Sequence, residues 1–111
     1  MESKPSIQLE DAQRAIGAGI RKSQEIEIPM SLAVVDAGGN LVALARMDGA
    51  SLLSLDVAIR KAYTSAIAGY PTGAFFDSVK EDPPLLAGLA HRPDLALFGG
   101  GIPLTAIYPA Q

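Results

Sequence analysis

Apolar residues recur at helical spacing over residues 9–24, the first patterned segment of the chain. Leu9, Ala12, Ile16 and Ile20 follow one another at intervals of three and four, which places them on one face of an α-helix. Acidic residues fall in the first turn, where the helix dipole favours negative charge. The pattern therefore predicts an amphipathic helix over residues 9–24.

The stretch from Met30 to Met47 predicts a β-hairpin. Two apolar runs flank the segment 37–40, and its Gly and Asn residues supply the positive φ angles that a tight turn needs. In the first strand, apolar residues occupy both alternating sets of positions, so both faces are apolar. We expect a helix to cover one face and another surface, such as a second subunit, to cover the other.

A second helix is predicted over residues 51–69, with Ser51 or Asp48 as its N-cap. Its core-facing stripe consists of Leu52, Leu55, Ile59, Ala62 and Ala66. A separate strip of small residues, at which another backbone can approach closely, consists of Ala58, Ala62, Ser65 and Gly69.

The remaining segments are shorter. Residues 72–79 predict a helix, and the following turn-rich stretch PPLLAGLAHR predicts a single helical turn. Strands are predicted at 94–98 and 102–107, on either side of three glycines. The order α-β-β-α-α-β-β is typical of an α+β domain, with helices packed on a mainly antiparallel sheet, and residues 1–111 form one domain.

Composition narrows the class of protein. The chain has 111 residues, is 49% hydrophobic with few aromatics, and carries a formal net charge of −3. Such a charge gives no basic field for nucleic acid. The absence of cysteine excludes disulfides and thiolate metal sites. Neither a signal-peptide pattern nor a membrane-spanning run is present, so a cytoplasmic location is expected. The apolar surface expected on so small a domain favours a homo-oligomer.

Three consecutive glycines, Gly99, Gly100 and Gly101, are the most conspicuous motif. A dinucleotide loop or a Walker loop would require a following helix, and the Walker loop also a Gly-Lys-Ser/Thr sequence, whereas Ile102-Pro103 follows here. Two interpretations stay open. The glycines turn a corner between two strands, or their amides form an anion-binding nest.

Four polar residues are candidates for ligand binding. Arg46 interrupts an apolar strand and either bridges to an aspartate such as Asp48 or binds a carboxylate in a cleft. Lys61 and Thr64 lie three residues apart, so they share a helix face beside the core stripe. Lys61 is either solvated along the helix or desolvated enough to bind a ligand.

His91 is the only histidine of the chain and lies between an apolar turn and a predicted strand. It could ligate haem iron or act as a general base, although a lone loop histidine often does neither. No G-x-S-x-G nucleophile motif accompanies it, and the scattered carboxylates give no metal-ligand spacing, so no metal site is predicted.

Four blocks of the sequence resemble the GlcG/HbpS family of small bacterial proteins, a family associated with haem binding or haem degradation. They are AVVDAGGNLV from Ala33, ARMDGA from Ala45, KAYTSA from Lys61 and FGGGIPL from Phe98. The resemblance runs from Leu9 to Leu104. Because the blocks occur in the family's order, together they are far more specific than any one alone.

The resemblance implies a profilin-like α+β fold, self-assembly into dimers or larger rings, and binding of haem or another small ligand at subunit junctions. It places Asp36, Gly38 and Gly39 in the hairpin turn and Arg46 and Asp48 at the strand exit. It further places Lys61 and Thr64 along the helix face, and Gly99 to Pro103 in the turn before the terminal strands.

One feature departs from the family pattern. Family members continue beyond the FGGGIPL block through a further strand and a helix, whereas LTAIYPAQ ends this sequence. We expect an unpaired sheet edge, which two subunits cover by pairing or exchanging residues 102–108.

Three functions remain open at this point. A homo-oligomeric module that binds a small ligand, with haem as the candidate cofactor, is favoured. An enzyme that uses Arg46 and Lys61 on a small organic acid and an oligomeric structural protein without a ligand are the alternatives.

Overall fold

The computed structural model describes residues 6–96 and 99–101. Along the chain, the elements are helix α1 (Leu9–Glu25), strands β1 (Ser31–Val35) and β2 (Leu41–Arg46), and helices α2 (Leu52–Ala68), α3 (Thr72–Val79) and α4 (Pro83–Ala90). The predicted α+β class is confirmed. The structure also confirms the first helix, the hairpin, the long second helix and the helix at 72–79. Each of these three helices begins and ends within one residue of its predicted ends.

Strands β1 and β2 form an antiparallel hairpin, in which Ser31 faces Arg46 and the register shifts by one residue at Val34/Val35. The Asp36 carboxylate organises the turn, since its Oδ1 accepts hydrogen bonds from the amides of Gly38 at 3.0 Å and Asn40 at 2.9 Å. Gly39 takes the left-handed conformation, with φ of +83°. The turn therefore forms as the sequence predicts.

The two faces of the hairpin are covered by different helices of the same chain. A Leu32 methyl group packs against the backbone of Gly19 in α1. On the neighbouring residue, the Ser31 hydroxyl lies 2.7 Å from the Ser54 hydroxyl of α2. Successive side chains of a strand point to opposite faces, so α1 and α2 sandwich the sheet. Both apolar faces find partners within the chain, and the second face requires no second subunit.

Helix α2 begins where the sequence predicts, but its burial differs from the expected stripe. Ser51 is the N-cap, and its hydroxyl accepts a hydrogen bond from the Ser54 amide at 3.1 Å. Leu52 at the head of the stripe is 72% exposed, whereas Thr64 and Ser65 are buried. The two hydroxyls donate to carbonyls of the preceding turn, which makes their burial tolerable.

Helix α4 is longer than the single turn expected from its sequence. Its first residue is Pro83, and Asp82 precedes it as the N-cap, with its carboxylate accepting from the Leu85 amide at 3.2 Å. Proline suits the first helical position because its missing amide would have no helical partner there. The prolines thus begin a helix that runs to Ala90.

The strand predicted at 94–98 does not form in its described part. The backbone amide of Ala96 donates to the Thr64 hydroxyl at 2.8 Å, so a side chain takes the place of a strand partner. The rest of this predicted strand, at 97–98, and the one at 102–107 lie outside the described residues. Among residues 6–96 and 99–101, no helix combines the length and apolar character needed to cross a membrane.

Candidate functional site

A groove of about 830 Å³ runs along β1 on the side away from β2, and we refer to it as the edge groove. Its floor is the strand from Met30 to Asp36, and one wall carries Ala15 and Ile16 of α1. The opposite wall is α2, represented by Val57, Ala58, Lys61, Ala62, Ser65, Ala66 and Gly69. The lining is mainly apolar, as a site for an organic ligand requires.

The small-residue strip predicted on α2 lines the edge groove. All four of its members, Ala58, Ala62, Ser65 and Gly69, belong to the wall. Because these side chains are short, the α2 backbone lies close to the open space, and a ligand can approach the helix closely. The strip therefore faces the groove.

Lys61 and the glycine segment meet at one end of the groove. The Lys61 Nζ lies 2.6 Å from the point where a Cβ on Gly100 would stand, and Gly100 has a φ of +123°. Any side chain at position 100 would displace the ammonium group. Lys61, Gly100 and Gly101 all line the groove, so three of the predicted ligand-binding residues come together here.

Gly101 is held in place by Thr72, the first residue of α3. The Gly101 amide donates to the Thr72 hydroxyl at 3.0 Å, and the Thr72 amide donates to the Gly101 carbonyl at 2.9 Å. Thr72 is completely buried. The Gly101 amide is thereby committed to Thr72 and takes no part in an anion nest. The glycine segment closes the end of the groove as a fixed backbone corner.

Thr64 of α2 holds the chain just before the glycine segment in place, but it does not line the groove. Its buried hydroxyl donates to the Arg60 carbonyl at 2.7 Å and accepts from the Ala96 amide. Thr64 and Thr72 thus fix the chain at positions 96 and 101. Lys61 and Thr64 therefore have different roles, although they are one helical turn apart. Lys61 lines the groove, whereas Thr64 anchors the backbone at Ala96.

Arg46 and Asp48 lie outside the edge groove. The Arg46 guanidinium donates to the backbone carbonyl of Ala50 at 2.9 Å, so it stabilises the connection between β2 and α2. This contact replaces the bridge to an aspartate that the sequence suggested. Asp48 is an exposed residue of that connection. The pairing of Arg46 with Lys61 on an organic acid finds no support, because Arg46 does not line the groove that Lys61 enters.

His91 is the exposed C-cap of α4 and does not line the groove. The neighbouring Arg92 forms a two-pronged ion pair with Asp94, at 3.1 and 2.6 Å. Hydrogen bonding to Arg92 lowers the pKa of the Asp94 carboxyl. No group of three or more metal-ligating side chains occurs within the described part of the chain. Gly99, the first glycine of the segment, is exposed with open space around it.

Two residues of opposite charge lie in the lining of the groove. Asp36 and Lys61 are the charged residues among those that line it. The Asp36 carboxylate already accepts hydrogen bonds from the hairpin turn, which compensate its charge. The groove consequently presents an apolar body with two charged residues, Asp36 and Lys61, in its lining.

Sequence reasoning did not identify the strand that forms the floor of the groove, or the threonine that holds Gly101 in place. The edge of β1, Met30 and Thr72 were not among the predicted site residues. The apolar residues on both faces of the first strand indicated that the strand is central to the fold. They did not indicate which of its edges would line a groove. Thr72 had no distinguishing signal, since a threonine at the start of a helix is common.

Comparison with known proteins places the chain among characterised folds. A family model described as haem-degrading, HbpS-like, matches residues 7–108. An uncharacterised 15.0 kDa protein from Citrobacter freundii is 34% identical over 100 residues, covering 89% of this chain and 70% of that protein.

Two crystal structures resemble this protein closely. HbpS has a TM-score of 0.83 and 30% identity, over 96% of this chain and 73% of its own. A PduOC–haem complex has a TM-score of 0.74 and 26% identity, over 86% and 70% respectively. The resemblance seen in the four sequence blocks is confirmed: the chain belongs to the HbpS-like family.

Proposed function

We propose that this protein is a ligand-binding module whose site is the edge groove, with haem as the candidate ligand. The observation that carries this proposal is an apolar groove of about 830 Å³ with the Lys61 ammonium at one end. A porphyrin has an apolar body and carboxylate side chains, which match the walls and the cation respectively. The family and the neighbouring PduOC–haem complex support the same ligand.

The apolar residues that line the body of the groove fit the porphyrin of haem. The iron also needs a ligand from the protein. Met30 lines the groove, and a methionine thioether is a known axial ligand of haem iron. Lys61 would hold a propionate. Bound haem supplies an iron centre, and the chain's own part is to exclude water from it and to fix its orientation. Ligation by His91 at a junction between subunits stays an alternative prediction.

Titration of the full-length chain with hemin tests this proposal. We expect a Soret shift that saturates at one hemin per chain. Lys61→Met should raise the dissociation constant about fivefold, because it removes one partly screened charge pair. Lys22→Met, which removes an exposed lysine of α1 away from the groove, is the matched control and should leave the constant unchanged.

Two results decide the remaining points. A spectral drift that never saturates would contradict a defined site and indicate adsorption to apolar surface. If His91→Ala abolishes the Soret shift while Lys61→Met does not change it, haem is bound at His91 and not in the groove. We propose no reaction, since Arg46 and Lys61 do not meet.

The protein is further proposed to be a homo-oligomer. Several large apolar side chains are exposed, including Leu52 and Leu53 at 72% each. Such side chains are commonly covered by subunit contacts. We expect sedimentation at micromolar concentration to give a mass of at least twice 11.5 kDa. A single species at the monomer mass would contradict this part of the proposal and would leave the groove unaffected.

A further inference from the structure

We propose that Thr72 is a positioning residue for the edge groove. Its hydroxyl group holds Gly101 against α2 and thereby sets the position of the Lys61 ammonium group. The inference rests on the proposed function in one respect, that the groove is the ligand site, and it names a residue that controls binding without touching the ligand. Two observations carry it: the bonds that join Thr72 to Gly101, and the contacts that place Gly101 beside Lys61.

The Thr72 hydroxyl group is bonded to a distant part of the chain. Thr72 is the first residue of α3 and is fully buried. Its hydroxyl oxygen accepts the Gly101 amide at 3.0 Å, across 29 positions of the sequence. A buried hydroxyl group is tolerated only where it has a partner, and here that partner belongs to the end wall of the groove. The side chain therefore acts on the groove and not only on its own helix.

Gly101 in turn completes the first turn of α3. The first amides of a helix have no partner within the helix and need an acceptor from elsewhere. The N-cap of α3 is Pro71, which contributes no side-chain bond, and the Thr72 amide donates to the Gly101 carbonyl at 2.9 Å. The start of α3 and the end wall of the groove are therefore joined by two reciprocal hydrogen bonds, and a displacement of either breaks both.

The Gly101 backbone is wedged between α3 and α2. A Cβ at this position would lie 2.8 Å from the Thr72 Cγ2 and 2.5 Å from the Lys61 carbonyl oxygen. The Lys61 side chain passes along the neighbouring glycine, since a Cβ on Gly100 would lie 3.1 Å from its Cδ and 2.6 Å from its Nζ. The position of these two glycines thus determines the space that is left for the ammonium group.

Removal of the Thr72 hydroxyl group would leave the Gly101 amide without its acceptor. Gly101 is buried, and an unpaired buried amide is costly enough for the backbone to move toward water. The glycines would then leave α2, and the Lys61 side chain would no longer be confined. Valine has nearly the shape of threonine, so Thr72→Val keeps the packing of the methyl group and removes only the hydrogen bond.

Hemin titration of variants of the whole chain tests the effect on binding. Thr72→Val should raise the dissociation constant for hemin about tenfold, the equivalent of one lost hydrogen bond. Thr72→Ser, which keeps the hydroxyl group, should restore the wild-type constant. Ser23→Ala is the control for a general loss of stability, because Ser23 is buried, donates to the Ile28 carbonyl and does not line the groove. It should lower the urea midpoint and leave hemin affinity unchanged.

Two NMR measurements on the ligand-free chain report the position of the glycines directly. In the wild type and in Thr72→Ser, we expect slow exchange of the Gly101 amide hydrogen. We also expect a nuclear Overhauser effect between the Lys61 methylene groups and the Gly100 α-hydrogens. Thr72→Val should speed the exchange about tenfold and abolish the Overhauser effect. The Ile26 amide, which is hydrogen-bonded at the end of α1, is the internal reference and should not change.

Three results would overturn the proposal. The first is wild-type hemin affinity in Thr72→Val, and the second is an equal loss of affinity in Thr72→Val and Thr72→Ser. The third is a loss in Ser23→Ala as large as that in Thr72→Val, because affinity would then follow general stability. Should Thr72→Val fail to fold, the wild type decides: rapid exchange of the Gly101 amide contradicts the proposal, whereas slow exchange with the Overhauser effect supports it.

The outcome is separable from that of the haem proposal. If the wild type shows no saturable Soret shift, haem is refuted as the ligand. The exchange rates and the Overhauser effect still decide whether Thr72 fixes the glycines beside Lys61. If hemin saturates the wild type and Thr72→Val with the same affinity, the groove remains a haem site and the positioning role is refuted.

Discussion

Gly39→Val should destabilise the protein by about 3 kcal/mol, the largest effect that we expect from a single change in the hairpin. Gly39 has a φ of +83°, and a side chain in the left-handed region costs about 1–2 kcal/mol. A Cβ at this position would also lie 2.8 Å from two ring atoms of Tyr63 in α2. Displacing a packed ring adds about 1–3 kcal/mol. Urea unfolding followed by circular dichroism measures the change.

Gly88→Ala is the control for this substitution. Gly88 lies inside α4, and a Cβ there meets no atom within 4 Å. Alanine should stabilise the helix by about 0.5–1 kcal/mol, since it restricts the unfolded chain. A free energy of unfolding for Gly39→Val that equals the wild-type value would show that the hairpin turn does not pack against Tyr63.

Gly101→Ala should both destabilise the fold and weaken ligand binding. A Cβ at this position would lie 2.5 Å from the Lys61 carbonyl oxygen and 2.8 Å from the Thr72 Cγ2. The carbonyl belongs to α2 and cannot move without disturbing the helix. We expect a loss of about 2–3 kcal/mol in the free energy of unfolding. Because the glycine corner closes the groove beside Lys61, we also expect hemin affinity to fall about tenfold.

Gly99→Ala is the matched control, two residues away in the same segment. Its Cβ would meet no atom within 4 Å. Stability and hemin affinity should remain close to those of the wild type. If Gly101→Ala behaves like Gly99→Ala in both measurements, Gly101 is not anchored between α2 and α3, and the end wall of the groove is not formed as described.

Much of the secondary structure follows from local sequence. The interval of three and four between Leu9, Ala12 and Ile16 is a property of one short segment, and it fixed the first helix. The glycines of the hairpin turn acted in the same local way, as did the capping serine of α2. These features depend on backbone conformation and near neighbours, so no knowledge of the tertiary structure was needed.

Burial and the length of α4 were less predictable. Leu52 belongs to a plausible apolar stripe, yet it is exposed, whereas Thr64 lies inside because its hydroxyl links two backbone segments. Hydrophobic periodicity cannot detect a buried polar residue that is satisfied by a partner 32 positions away. The same bond explains why Ala96 is not in a strand, although its segment has a strand-like composition.

The sequence by itself determined the family, the α+β class and the place of the turns, because each depends on residues close together in the chain. It also identified Lys61, the glycines and the small-residue strip as candidates. Only the tertiary structure decided which of these meet. The packing of α1 and α2 on opposite faces of the hairpin forms the two walls of the groove beside β1 and brings Lys61 to Gly100. That assembly depends on contacts across tens of residues, which no local pattern encodes.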